Sequence, residues 1–268
     1  MAYASSRVAM PEGDTVHLAA TRLDRALGGE VLVRTDFRVP RLATTDLAGR
    51  KVIDVRARGK HLLFHIDGGV TLHTHFRMDG EWRIYPHGRR PRARSHEVRA
   101  VLETQGIVAV GVRLPVIELI QTRDEGRLLA HLGPDVLGED WDADEAILRL
   151  RRDPDRPVGE ALIDQRNLAG LGNVYKCEIC FLAGVNPYTP VGRVPDLEAM
   201  VALAKRTVEA NRTTGMQATT GDMRRGRGRW VYGRRAEPCR RCGTSILKSE
   251  PSEERVTYWC PSCQPEGI

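Results

Sequence analysis

Leu162-Ile163-Asp164-Gln165-Arg166-Asn167-Leu168-Ala169-Gly170-Leu171-Gly172-Asn173-Val174-Tyr175 is the stretch on which the fold turns. Apolar spacing predicts a helix closing at Ile163 and another running from Val174 to Leu182, joined by a turn punctuated by Gly170 and Gly172. Asn173 falls at the second helix's N-terminus. Downstream, Met200, Val201, Leu203, Ala204 and Val208 predict a longer helix over about Leu197 to Asn211. Upstream, Ala146, Leu148 and Leu150 predict a shorter one, preceded by a polar linker from Leu132-Gly133-Pro134-Asp135 to Asp140. Residues 213–235, rich in Gly, Arg and Thr, read as flexible.

The N-terminal half has a different period. Asp14 is expected to cap a helix bearing Val16, Ala19, Leu23, Ala26 and Leu27, stopped by Gly28-Gly29. Eight short β-rich runs follow: Val31–Val33, Val52–Val55, Leu62–Ile66, Val70–His73, Trp82–Tyr85, Val98–Leu102, Ile107–Val112 and Val116–Ile120. Turn signals such as Asp67-Gly68-Gly69 and Asp79-Gly80 separate them, which suggests an antiparallel sandwich or barrel.

Near the end, Cys239-x-x-Cys242 and Cys260-x-x-Cys263 are separated by 17 residues. Two such pairs brought together by a hairpin present four thiolates in tetrahedral array, which suits one structural zinc ion with no open position. Cys177 and Cys180 have the same spacing but lie in an apolar helical stretch with no second pair, and are read as filling a helix face.

The 268 residues, 41% hydrophobic and 28% charged, are ordinary for a globular chain of about two domains, which excludes disorder as the main state. No apolar run is long enough to span a membrane, and residues 1–9 lack the apolar core of a signal peptide, so a cytoplasmic location is expected. The net charge of +6 favours a polyanionic partner. Ten Lys/Arg against five acids between 224 and 268, with further clusters at Arg50–Lys60 and Arg89–Arg99, favour a phosphate backbone.

Pro11-Glu12-Gly13 after Met10, Arg58-Gly59-Lys60-His61-Leu62-Leu63 on a hairpin, the Leu162–Tyr175 stretch, and Arg255-Val256-Thr257-Tyr258-Trp259-Cys260-Pro261-Ser262-Cys263-Gln264 occur in one order. Together they resemble the Fpg/Nei family of DNA glycosylases over about residues 10 to 265, and Pro-Glu-Gly looks more like its endonuclease VIII branch. The resemblance implies an α+β fold: an N-terminal antiparallel β-sandwich with flanking helices (10–131), a linker (132–140), a helix–two-turn–helix domain (141–225) and a zinc β-hairpin (226–268), with DNA crossing between the domains. It implies base excision followed by strand cleavage through β,δ-elimination on damaged DNA, with oxidised pyrimidines as the expected targets. A monomer needing structural zinc, but no catalytic metal or nucleotide cofactor, is expected.

The residue types suit that chemistry. A proline nitrogen is a nucleophile only at a free N-terminus, since within a chain its lone pair is delocalised into the amide. The resemblance makes Pro11 the Schiff-base nucleophile, which requires translation from Met10 and removal of that Met. Glu12 would shuttle protons. Lys60 would contact phosphate and assist β-elimination, Arg255 would assist δ-elimination, and Asn173 and His131 would hold phosphate. Met78, with Arg77 beside it, would fill the space left by the extruded nucleotide.

Three positions depart from the family pattern: Thr15 replaces a carboxylate, Asp79 stands where an aromatic wedge is common, and His131 replaces a stronger base. They leave room for a competing reading, a non-catalytic protein binding DNA lesions or abasic sites with a blocked Pro11. A zinc-ribbon RNA-binding or ribosome-associated protein would explain the basic tail but leave Pro11, Glu12 and Lys60 idle.

Overall fold

The computed structural model describes residues 10–89, 91–249 and 255–266. These form two compact units, one of residues 10–11 and 15–130, the other of residues 12–14 and 131 onward. Residues 1–9, and with them the question of what precedes Met10, lie outside the described residues.

In the first unit, α1 (Gly13–Leu27) buries Val16, Ala20, Leu23 and Leu27 along one face. Asp14 does not cap this helix from outside, as its sequence position suggested; it is buried within the first turn. The sandwich expectation holds. One antiparallel sheet is built from β1 (Arg34–Phe37), β6 (Val98–Glu103), β7 (Ile107–Val112) and β5 (Glu81–Pro86), in that order. The other is built from β2 (Val52–Arg58), β3 (His61–Ile66), β4 (Val70–His75) and β8 (Val116–Gln121). Leu62, Phe64, Ile66 and Leu72 from the second sheet share a core with Ala100, Leu102 and Ala109 from the first. The first strand lies three residues later than Val31–Val33 predicts, because Arg34 is where pairing with Glu103 begins; Val31 makes only an isolated bridge to Lys51. A short helix, α2 (Glu125–Leu129), gave no clear signal in the sequence.

The second sheet's other face is polar. His73 sits between Glu118 (2.7 Å) and His61 (2.8 Å), and His65 bridges Asp54 and Glu125. Burial opposes a charge on His65, but its two carboxylate partners prevail and raise its pKa.

The second unit is helical. Asp142 caps α3 (Ala143–Arg151), and Asp196 caps α6 (Leu197–Glu209), each accepting an N–H from the first turn. Between them lie α4 (Val158–Ile163) and α5 (Asn173–Ala183), the latter closed by left-handed Gly184. Leu162, Leu171, Tyr175 and Ile179 pack against Met200, Val201 and Ala204. The Leu132–Val136 stretch is buried, and Asp135 bridges to Ala169, so it is packed structure rather than a loose tether.

Residues 213–235 are also not the flexible segment their composition suggested. The Glu178 carboxylate, wholly buried in α5, accepts the N–H groups of Trp230 (2.8 Å), Val231 (2.9 Å) and Tyr232 (2.8 Å) and the hydroxyl of Thr219. Val231, Ile246, Cys239 and Cys260 pack on Cys177 and Phe181 of the same helix. Two short paired strands, β9 (Leu247–Lys248) and β10 (Tyr258–Trp259), form the expected hairpin.

Candidate active site

Glu12 is 1% exposed, and its carboxylate lies across the N-terminus of α5. One oxygen accepts the N–H groups of Gly172 (2.9 Å) and Tyr175 (3.4 Å), and the other accepts that of Val174 (2.7 Å). These are helix-terminal donors that no carbonyl within the helix can satisfy, so the acid and the helix end complete each other. The glycines of the turn make the approach possible. A Cβ on Gly172 would stand 2.4 Å from the Glu12 Cδ, and one on Gly13 would stand 3.0 Å from Gly170, whose own φ is +100°. Gly13 N–H also donates to the Gly170 carbonyl (2.8 Å). Pro11, half-buried, is held at the next peptide.

Asn173 opens α5 as expected, but its side chain does not cap the helix. It is buried, and its Nδ2 donates to the Val256 carbonyl (2.6 Å) in the loop carrying Arg255. The same helix holds this loop twice more: Lys176 Nζ donates to the Thr257 hydroxyl (2.8 Å) and Tyr258 N–H donates to Cys177 Sγ (3.3 Å). Arg255 is exposed at this loop, and Arg255 and His131 line one cavity with Lys176, Arg156 and Arg166. Asp164, at the cavity wall, is held far below the usual carboxylate range by Arg166 and then Arg156.

In the first unit, Lys60 follows left-handed Gly59 at the β2–β3 turn. Lys60 and Arg77 lie close enough to His75 to add to its burial and depress its pKa to about 4. His75 is thereby neutral near pH 7, and its Nδ1 accepts the Arg77 N–H (2.9 Å). Arg77 itself has a φ of +51°, an unusual conformation for a residue with a side chain. Met78, at the loop tip, is 60% exposed. Asp79 lies beside it, its carboxylate 3.5 Å from Arg113 Nε.

The four cysteine sulfurs lie within 4.8 Å of one another, with Cys239 to Cys263 at 4.0 Å and Cys242 to Cys260 at 3.5 Å. Tetrahedral zinc–thiolate bonds would place sulfurs about 3.8 Å apart, so the donor set fits a closed metal site. Arg241 N–H donates to Cys239 Sγ (3.4 Å), the kind of contact that stabilises a thiolate. Cys177 and Cys180 are wholly buried, and burial pushes the Cys177 thiol up to about 12, as fits a packing role.

Lys176, Glu178 and His75 were not singled out from the sequence. A signal existed for two of them: Lys176 and Glu178 are charges set inside the apolar run Val174–Leu182, and such charges persist only where something satisfies them.

Comparison with known proteins agrees with this geometry. Residues 10–113 match the formamidopyrimidine-DNA glycosylase N-terminal domain, and residues 132–217 match the H2TH domain of the same enzymes. The chain is 54% identical over 261 residues to the probable endonuclease 8 2 of Streptomyces coelicolor, covering 95% of this chain and 94% of that one. It is 47% identical to the DNA-(apurinic or apyrimidinic site) lyase Nei2 of Mycolicibacterium smegmatis, covering 95% and 99%. Among solved structures, Lactococcus lactis Fpg in complex with DNA containing N7-benzyl-Fapy-dG superposes with a TM-score of 0.81 at 25% identity, covering 96% of this chain and all of that one. The chain belongs to the Fpg/Nei family of DNA glycosylases and AP lyases.

Proposed function

We propose that the chain excises oxidised bases, chiefly pyrimidines, from DNA and then cuts the strand, with the Pro11 nitrogen as nucleophile. The observation that carries this reading is the Glu12 clasp: a buried carboxylate, adjacent in the chain to Pro11, fixed by three N–H groups at the start of α5. Such a clasp holds the amine and its proton carrier in a preorganised relation. The match to the family's N-terminal domain begins at Met10, which supports a mature chain starting at Pro11.

In that chain the secondary amine attacks C1′, the bond to the base breaks, and the base leaves with a proton delivered through Glu12. Ring opening leaves an iminium between Pro11 and C1′, which acidifies the C2′ protons. Loss of one expels the 3′ phosphate, and a second elimination expels the 5′ phosphate. Lys60 neutralises phosphate charge in the first elimination and Arg255 in the second. Asn173 and His131 hold flanking phosphates, while Met78 with Arg77 occupies the vacated stack. Cys239, Cys242, Cys260 and Cys263 hold structural zinc, which fixes the hairpin and takes no part in the reaction.

The test is borohydride trapping. Protein beginning at Pro11 is mixed with duplexes carrying an abasic site, 5-hydroxyuracil, thymine glycol or 8-oxoguanine. A covalent adduct and strand scission are expected, strongest on the oxidised pyrimidines, and both are expected to vanish when the Pro11 nitrogen is acetylated. No adduct with any duplex would overturn the proposal.

A further inference from the structure

Lys176 is 3% exposed, yet among the described residues its ammonium has no carboxylate partner; its hydrogen bond goes to the neutral hydroxyl of Thr257. An ammonium has three protons to donate, and burying it without a counter-charge costs several kcal/mol, roughly. The neighbouring cations are treated differently. Arg156 bonds Asp164 (2.8 Å), and so does Arg166 (2.7 Å). Lys176 instead forms part of the lining of a cavity of about 720 Å³ whose wall includes Arg255 and His131. The packing around its stem is specific: a Cβ on Gly159 would stand 3.4 Å from Lys176 Cδ.

We propose that Lys176 is a direct phosphate ligand, its ammonium completing with Arg255 a site for one backbone phosphodiester in this cavity. The inference rests on the DNA-cleaving function argued above. A phosphate supplies the missing counter-charge and accepts the remaining ammonium protons. Because the contact is to a phosphate, its loss weakens binding to all sequences alike and lowers the salt dependence.

The experiment measures equilibrium binding of the Pro11-start protein to a duplex with a tetrahydrofuran abasic analogue, across a salt series. Lys176→Gln is expected to reduce the slope of log K against log salt by about one, so that affinity falls about 3.5-fold less than wild type's between 50 and 200 mM salt. Lys176→Arg is expected to retain the slope, as is Thr257→Val, which removes only the internal hydrogen bond. Lys176→Met serves if the Gln variant fails to fold. An unchanged slope in Lys176→Gln, or the same loss in Thr257→Val, would overturn the inference and leave Lys176 as a brace for the Arg255 loop. Wild-type protein with no salt-dependent affinity for the duplex would instead sink the function itself.

Discussion

Replacing Gly172 by Ala tests whether the Glu12 clasp organises the site. Gly172 has φ −134° and ψ −162°, an extended conformation that Ala adopts without strain, so the backbone gives no reason for glycine. The reason is contact: the new Cβ would lie 2.4 Å from Glu12 Cδ and 2.7 Å from its Cγ. Restoring ordinary contact needs about 1 Å of movement, which lengthens the bonds from Gly172 and Val174 to the carboxylate beyond useful range. A buried carboxylate losing such donors costs about 3–5 kcal/mol, and the lower chain entropy of Ala in the unfolded state returns less than about 1 kcal/mol. The net expectation is a loss of about 2–4 kcal/mol in urea unfolding. Single-turnover excision of 5-hydroxyuracil is expected to fall about 100-fold, the scale of a 1 Å misplacement of a reacting group. Gly106→Ala is the control, since a Cβ there meets nothing within 4 Å. If Gly172→Ala matched that control in both stability and excision, the clasp could not be what holds the acid.

Removal of the metal by a strong chelator is expected to loosen the packing of Tyr258 and Trp230 on Phe181, read as a fluorescence change, and to abolish DNA binding; metal analysis is expected to give one zinc per chain. Met78→Ala is expected to leave stability within about 0.5 kcal/mol, since the side chain is exposed, while weakening binding to abasic DNA about tenfold, the scale of one base-stacking contact. His75 binds its proton less readily when folded, with a pKa near 4 against an ordinary 6.5, so the unfolded chain takes up more protons between those values. Its contribution is therefore full above pH 6.5 and falls with acidification, by about 3 kcal/mol on reaching pH 4; His75→Gln is expected to flatten that slope in unfolding measured at pH 5 and 7. His65 has the opposite sign: its raised pKa makes its contribution full below 6.5, lost as pH rises through the higher folded value. The Asp54 partner, lowered, adds stability above 3.8 that is lost as pH falls through its folded value. His65→Gln is expected to remove the alkaline loss.

What was legible in the sequence was whatever repeats. Short apolar runs such as Leu62–Ile66 and Ile107–Val112 became central strands, nearly every residue buried, with Val108, Val110 and Val112 packed in a cluster separate from the one that holds Ala109. The spacing of Met200, Val201, Ala204 and Val208 marks α6 because those side chains are the face it buries. The paired Cys-x-x-Cys motifs converge so that their four sulfurs lie within 4.8 Å of one another, each pair being held on its own turn. Misreadings arose where distant chain satisfies a residue. Asp14 looks like a cap because nothing nearby shows that it will be buried, and 213–235 looks loose because its anchor, Glu178, is 41 or more residues upstream.

The candidate site follows the same division. Pro11, Glu12, Lys60 and Arg255 stand out as residue types in an order, but the reason Glu12 can be buried is a helix end 160 residues away in sequence. Local pattern cannot contain that fact, although it leaves a trace. Gly170 and Gly172 are spaced so that another backbone and a side chain can enter the turn, and a turn needing only to reverse direction would require neither close approach. Lys176 leaves a similar trace as a charge inside an apolar helix. The three features share one cause. The first turns of α5 gather what the rest of the chain cannot satisfy alone: an acid, a loop carbonyl and, by the inference drawn above, a phosphate. If α5 is the organising element, Asn173→Ala and Lys176→Gln, three residues and so about 60° apart around the helix, are expected to couple. Their combined effect on DNA affinity should then differ from the product of the separate effects by about threefold or more, and strict additivity in a double-mutant cycle would show that the two act independently.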